Sequence, residues 1–290
     1  MPDFYINPET CSKCGNCVEV CPALVLKKSE NKIEFKDDFL HLCLGCGQCM
    51  AVCNTKSVFA KGLKYEKDFF EFSDSNDFFS IVEHRRSVRR FKPKPVSKEE
   101  IEKILFAVSQ ASHGDSHHHV EVTVINNREK IMEALPLMSA FFDKLGGWLH
   151  NPIMRTMIKL KKGQHTLNTL NNHLLPRIEK GIYKEYSYEY DGITRGAHTL
   201  LIFHAHKDSE EHKEDSHIFV TFAALAAQAL GLGATIIGLV PAALNKSKKL
   251  KKIFQIPENH DVVVSLIVGY PKYKYKRGIK RELKKVNWVS

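Results

Sequence analysis

Cys11-Ser12-Lys13-Cys14-Gly15-Asn16-Cys17-Val18-Glu19-Val20-Cys21-Pro22 and, 32 residues on, Cys43-Leu44-Gly45-Cys46-Gly47-Gln48-Cys49-Met50-Ala51-Val52-Cys53-Asn54 hold every cysteine of the 290-residue chain. Both runs read C-x2-C-x2-C-x3-C, the spacing of a pair of [4Fe–4S] clusters. Two-residue gaps on a tight turn let three thiolates converge on one cubane, while the fourth cysteine turns away toward the other cluster. Structural zinc and disulfides are the alternatives. Zinc sites usually pair two C-x2-C knuckles across a longer spacer, and disulfide-bonded cysteines have no reason to recur as an internal repeat. Gly15, Gly45 and Gly47 let backbone amides approach the sulfurs.

The stretch resembles the bacterial two-cluster ferredoxins, with Asn54 in place of the second proline. The expected ligand sets are Cys11, Cys14, Cys17 and Cys53 on one cluster, and Cys43, Cys46, Cys49 and Cys21 on the other. Such a chain moves electrons.

Outward from this head, the chain divides into a cluster domain at 1–61, an acidic-aromatic linker at 62–78 and a cysteine-free body at 79–290. The linker (Tyr65, Phe69, Phe70 and Phe72 among Asp and Glu) reads as a strap across the body. No charged-then-apolar leader precedes Asp3, and thiolate ligands fit a reducing compartment, so a cytoplasmic protein is expected. From Phe219 to Leu244 no residue is charged over 26 positions, long enough to span a bilayer. Gly231, Gly233, Gly238 and Pro241 interrupt it, so it reads as a buried helix capped near Gly231 and then a strand through Ile236 and Ile237. No membrane span is expected. The formal charge of +10 sits largely at Lys246–Lys252 and in the tail from Lys272. Beside a cluster domain this suits a small acidic electron carrier, with no nucleic acid called for.

In the body, Ser97 and Glu100 form a capping box ahead of Ile101, Ile104, Leu105 and Val108 at helical spacing. Strands are expected at Val120–Asn126, Thr199–His206 and Val262–Val268, and helices across 130–184 and at Lys248–Ile253. Such alternation predicts a sheet covered by helices, an α+β architecture.

Arg85-Arg86-Ser87-Val88-Arg89-Arg90-Phe91 places several guanidinium groups and a hydroxyl where they can clamp a phosphate, although such a run is often only a solvated basic face. With three further stretches it resembles the FMN-dependent nitroreductase family. Arg85, Ser87 and Arg89 match its opening motif, with Arg86 between them. Leu230 to Gly238 match its glycine-rich turn, where main chain at Ile237 and Gly238 would lie against the isoalloxazine. Gly269-Tyr270-Pro271, Lys280, Arg281 and Trp288 match its closing pattern, Lys280 or Arg281 completing the phosphate clamp. The resemblance covers residues 79–290, and fusion of a ferredoxin head to such a body is an arrangement known in the family.

One loop departs from the family pattern. The family reads Ala-Pro-Ser/Thr-x-x-Asn-x-Gln-Pro-Trp where this chain has Ala111-Ser112-His113-Gly114-Asp115-Ser116-His117-His118-His119-Val120. Ser116 stands at the Asn position and His118 at the Gln position, so flavin contacts would come from Ser112, His113, Gly114, Ser116 and His118. His118 is the candidate proton donor near the flavin, since no side-chain nucleophile is apparent or required. The histidines raise a metal hypothesis, but consecutive His117–His119 could supply at most two ligands on a strand, and His204 and His206 lack a third. Gly231-x-Gly233 follows a helix and opens a strand, the reverse of a dinucleotide fingerprint.

The resemblance implies a homodimer with FMN at its interface. Electrons would pass from a low-potential donor such as ferredoxin or flavodoxin through two [4Fe–4S] clusters to FMN, then to a nitroaromatic, quinone or similar electron-poor compound. The alternatives are a non-catalytic electron-transfer protein serving another protein, or a flavin-binding or flavin-modifying relative of the fold.

Overall fold

The computed structural model describes residues 3–19, 21, 23, 25–30, 32–43, 45, 47–69, 78–114, 119–272 and 283–289. Cys46, Ser116, His118, Lys280 and Arg281 therefore lie outside the described residues. The chain forms two compact units: the first holds residues up to 76 with His113 and Gly114, the second the rest of the body.

In the first unit the internal repeat is visible as structure. β1 (Phe4–Ile6), α1 (Asn16–Glu19), β2 (Leu26–Ser29), β3 (Lys32–Phe35), α2 (Gln48–Ala51) and β4 (Val58–Ala60) follow in order. α1 and β2 are matched 32 residues later by α2 and β4. β1 pairs antiparallel with β4, and β2 with β3. Gly15, Gly45 and Gly47 have φ of 89°, 65° and 70°, as the tight turns between thiols require. Residues 62–69, read from sequence as linker, pack on this unit. A short helix, α3 (Tyr65–Asp68), buries Tyr65 against Phe59 and Phe69, and Leu63 joins the same core. The reason is aromatic area: once Tyr65 is covered, its hydroxyl donates to the Val58 carbonyl at 2.9 Å.

The second unit begins with α4 (Phe78–His84) and α5 (Lys98–Ser109), the latter opened by the expected capping box of Ser97 and Glu100. β5 (Glu121–Ile125) leads into four helices: α6 (Arg128–His150), α7 (Pro152–Lys162), α8 (Gln164–Thr169) and α9 (Leu175–Glu179). Then come β6 (Thr199–His206), α10 (His212–Ala229), β7 (Gly233–Ile237), α11 (Leu239–Leu244), α12 (Lys248–Ile253) and β8 (His260–Gly269). The four strands make one antiparallel sheet in the order β5-β6-β8-β7. Its alternation splits the core. Leu200, Ile202 and Ile267 face α6, α11 and α12, whereas Leu201, Phe203, Leu266 and Val268 face α5 and α10. The uncharged run ends its helix as expected, Gly231 taking φ 72° while Leu232 N–H returns to the Ala227 carbonyl at 2.8 Å. Among the described residues no helix is long and apolar enough to cross a membrane.

One buried ion pair joins α6 to the segment before β6. Arg128 donates to Asp191 at 3.0 Å, with both side chains essentially inaccessible. The guanidinium also donates to the carbonyls of Tyr188 (2.9 Å) and Ser187 (2.7 Å) and to Thr194 Oγ1 (3.1 Å). Asp191 accepts from the amides of Ile193 (2.7 Å) and Gly196 (2.9 Å), from the Thr194 amide, and from its hydroxyl (2.6 Å). Gly196 is obligatory in this coil: φ is 75° and a Cβ would lie 2.1 Å from the Glu189 carbonyl oxygen.

Removing one partner of such a pair leaves an uncompensated buried charge. Asp191→Ala should therefore cost about 3–5 kcal/mol of stability, read from chemical denaturation of the full chain. A loss below about 1 kcal/mol would show that water reaches Arg128.

Candidate functional site

In the first unit, Cys11, Cys14, Cys17 and Cys53 line one small pocket together with Gly15, Ile33 and Val58. The expected first ligand set is thus brought together across 42 residues of sequence, Cys53 reaching back to the first run. These four thiols are free. Burial pushes the Cys17 thiol up, and the neighbouring sulfurs of Cys53, Cys11 and Cys14 push it further, the signature of like groups crowded on one point. Burial also acts against the Cys53 thiolate, but hydrogen bonds from Ser57, Thr55 and Val58 outweigh it and bring the thiol down. The Ser57 amide lies 3.3 Å from Cys53 Sγ. Amide hydrogen bonds to sulfur of this kind tune cluster potential. Cys21 is buried, Cys43 and Cys49 half-buried, and all three belong to the same core. Lys61 Nζ donates to the Cys43 carbonyl at 2.8 Å. Burial first, then the Cys53 sulfur, raises the Tyr65 phenol, so it stays a neutral donor.

In the second unit the arginine run lies along the free edge of β7. Ser87 bridges Ala234 in parallel register, Val88 N–H donates to the Ala234 carbonyl at 3.0 Å, and the Thr235 hydroxyl donates to the Val88 carbonyl. Gly233 makes this approach feasible, since a Cβ there would lie 2.6 Å from Val88 Cβ. With Val88 turned into the core, Arg85, Arg86 and Ser87 are half-buried and Arg89 is exposed. The Gly-Tyr-Pro stretch fastens the other end of the run. Phe91 bridges Pro271, Lys92 N–H donates to the Tyr270 carbonyl at 2.8 Å, and the Tyr270 hydroxyl donates to Glu100 at 2.6 Å.

The glycine-rich turn needs one refinement. The Ile237 side chain is buried in the core, so only its main chain can face a ligand, whereas Ile236 is 48 % exposed and a Cβ at Gly238 would meet nothing within 4 Å. Ser112 belongs to the second unit and His113 and Gly114 to the first. That division leaves the contribution of this loop to a body site without support from the described residues.

On the sheet, His204 meets His260 of the neighbouring strand. His204 Nδ1 and His260 Nδ1 lie 2.9 Å apart, His204 Nε2 pairs with Thr123 Oγ1 at 2.8 Å, and Glu121 Oε1 is 4.0 Å from His260 Nε2. The three residues have metal-ligand types within 4.8 Å of one another. However, the imidazoles share one hydrogen bond directly and the outer nitrogen of His204 is taken by Thr123, which suits a buried pair of neutral rings. Neither His260 nor Glu121 was identifiable beforehand, because the pairing spans 56 residues across two strands.

A cavity of roughly 670 Å³ opens beside Arg89, lined also by Arg177, Arg195, His173, Tyr183 and Leu239. Of its lining only Arg89 belongs to a sequence motif; Arg177, Tyr183, Arg195 and Leu239 come from stretches that carry none.

Residues 82–270 match the model of the Nitroreductase family, and residues 3–54 that of the 4Fe-4S dicluster domain. The Ferredoxin 7Fe of Hydrogenibacillus schlegelii is 30% identical over 77 residues, 26% of this chain and 95% of that protein. The Polyferredoxin protein MvhB of Methanothermobacter marburgensis is 48% identical over 31 residues, 11% of this chain and only 8% of that protein. Among solved structures, a nitroreductase with bound FMN from Bacteroides fragilis superposes with a TM-score of 0.53 at 18% identity, covering 74% of this chain and 100% of that one. A second, with bound FMN, from Desulfitobacterium hafniense gives 0.53 at 19%, with 74% and 100% covered. At such identity the likeness establishes the fold.

Burial pushes the His204 pKa down to about 4, with the His260 and Lys251 charges adding to it. Its ordinary value, about 6.5, holds in the unfolded chain. As pH falls below about 6.5 the unfolded chain binds the proton first, so stability complete above that value is lost toward about pH 4, at about 1.4 kcal/mol per pH unit. Denaturation midpoints measured between those limits should fall accordingly and flatten in His204→Gln; an unchanged slope in the variant would assign the loss elsewhere.

Proposed function

The chain belongs to the nitroreductase family, with a 4Fe-4S dicluster domain ahead of the family domain, and we propose that it is an FMN-dependent oxidoreductase fed through iron–sulfur clusters. One observation carries the reading: a single polypeptide joins a thiol-lined pocket to an arginine run fixed along the β7 edge. FMN, when bound, accepts electrons singly and passes them on in pairs.

The chain's residues fit the two kinds of cofactor by donor chemistry. Cys11, Cys14, Cys17 and Cys53 would hold one cluster, and Cys21, Cys43, Cys46 and Cys49 the other. Arg85, Ser87 and Arg89 would grip the flavin phosphate, with Lys280 or Arg281 completing the clamp. Main chain at Ile237 and Gly238 would face the ring. The role of these groups is binding and orientation: fixed cations and amides favour an anionic reduced flavin without reorganising. The unit boundaries we propose are a cluster domain, a short connection and a flavin domain, working as a homodimer in a reducing compartment. The donor is a low-potential carrier such as ferredoxin or flavodoxin, and the acceptor a small electron-poor molecule of the nitroaromatic or quinone type.

Protein purified without oxygen should carry about eight iron and eight acid-labile sulfide per chain, from two four-iron clusters. About seven iron would mean one three-iron cluster, and stoichiometric zinc would overturn the cluster assignment. Arg85→Ala or Arg89→Ala removes a charge-assisted bond of about 1.5–3 kcal/mol, so FMN affinity should fall roughly 10- to 100-fold. Riboflavin should bind the unaltered protein far more weakly than FMN; equal affinity would make the arginine run mere surface. Anaerobic turnover of a nitro compound should be faster with reduced ferredoxin than with NADPH, and Cys17→Ser should abolish the carrier-driven rate while sparing reduction by dithionite.

A further inference from the structure

The cavity beside Arg89 concentrates positive charge without visible compensation. Arg89, Arg177 and Arg195 all line it, and His173 joins them. Among the described residues each guanidinium spends one N–H on the protein. Arg89 donates to the Ser87 carbonyl at 3.3 Å, Arg177 to the His173 carbonyl, and Arg195 to the Tyr190 hydroxyl at 3.2 Å. A guanidinium has five donors, so most remain for a ligand. Among the described residues none of the three pairs with a carboxylate. The contrast within the same unit is informative: buried Arg128 is fully matched by Asp191 and three oxygens.

The cavity is also shaped. Arg195 is held in a left-handed conformation, φ 63°, one residue before Gly196, inside the coil that Asp191 ties down. Arg90 stacks over the Tyr190 ring at 4.0 Å, so Tyr190 is held by two guanidinium groups. Tyr183 is 4 % exposed with its ring 4.8 Å from Phe142, and it lines the cavity together with Arg177 and Arg195. Burial raises this phenol while the Arg177 and Arg195 charges act the other way, so it stays a neutral donor facing two cations. Leu170, Leu174 and Leu239 supply apolar wall. Planar forks, a phenolic donor and leucine walls together match a flat apolar body ending in a carboxylate.

We propose that the Arg177 and Arg195 side of this cavity, beside the Arg89 assigned to the flavin phosphate, binds the anionic end of the substrate, a carboxylate-bearing aromatic compound, with Arg177, Arg195 and Tyr183 as the specificity-determining residues. The proposal rests on the flavin-oxidoreductase reading, whose own failure is detected separately by counting flavin.

The experiment is calorimetric titration of the full-length, cluster-loaded protein with 4-nitrobenzoate and with the uncharged 4-nitrobenzamide, flavin being counted in every sample. The carboxylate should bind at least about tenfold more tightly and lose that advantage as salt rises. Arg177→Gln and Arg195→Gln should each weaken 4-nitrobenzoate about tenfold, leave 4-nitrobenzamide unmoved and retain full flavin and iron. Tyr183→Phe should weaken it severalfold without altering the salt dependence. Equal binding of the two compounds overturns the proposal. Loss of flavin from either arginine variant also overturns it, because the cavity then belongs to the cofactor's phosphate. So does weakened NADPH binding with 4-nitrobenzoate unaffected, which assigns the cations to a dinucleotide phosphate. Protein without flavin that still prefers 4-nitrobenzoate through these arginines would leave the cavity standing and remove the flavin reading instead.

Discussion

The charge of Arg128 has to be neutralised in a place water does not reach, and the way this is done organises one end of the second unit. Its partner Asp191 lies 63 residues away and in turn gathers three amides and a hydroxyl from the next five positions. A buried ion pair contributes little net stability, because desolvation offsets much of the attraction, but it tolerates only one geometry. That geometry winds the 187–196 coil tightly, which sets the direction of Tyr190 and Arg195. The cationic cavity therefore adjoins a fully paired charge: one arginine is satisfied inside, and another, Arg195, lines the cavity.

The sheet imposes a second constraint, from its edge. β7 has a paired side toward β8 and a side that the arginine run covers. An uncovered edge invites wrong pairing. Here the cover is also the segment proposed to grip the flavin phosphate, so protection of the sheet and placement of Arg85, Ser87 and Arg89 come from one set of backbone hydrogen bonds.

What sequence revealed, and what it hid, follows from the range of the interactions. The cysteine spacing, the Ser97–Glu100 capping box and the Gly231 helix stop are local, each decided within a few residues, and each appears in the structure where expected. The three long strands are likewise legible from their apolar content. Arg128, an ordinary polar residue at a helix start by its neighbours, gives no local sign of burial. The His204–His260 pair and the Arg177–Arg195 cavity depend on chain segments meeting across the fold. At Ile237 the glycine-rich pattern located the segment, and strand alternation then turned the side chain inward and left its main chain as the part that can face a ligand. Tyr65 was read with the linker as part of a strap across the body, whereas its ring packs in the first unit's own core.

Tyr65 also sets where the first unit can be cut. Its ring closes over Phe59, and its hydroxyl holds the Val58 carbonyl on the strand that pairs with β1. A head excised at Lys61 would lose this cover, together with Leu63 and Phe69, and would expose the apolar side of the thiol pocket to solvent. The portable electron-transfer module accordingly extends through Phe69. Any exchange of heads between related proteins has its seam in the stretch that follows, not at the last residue of the cysteine motif's own strand.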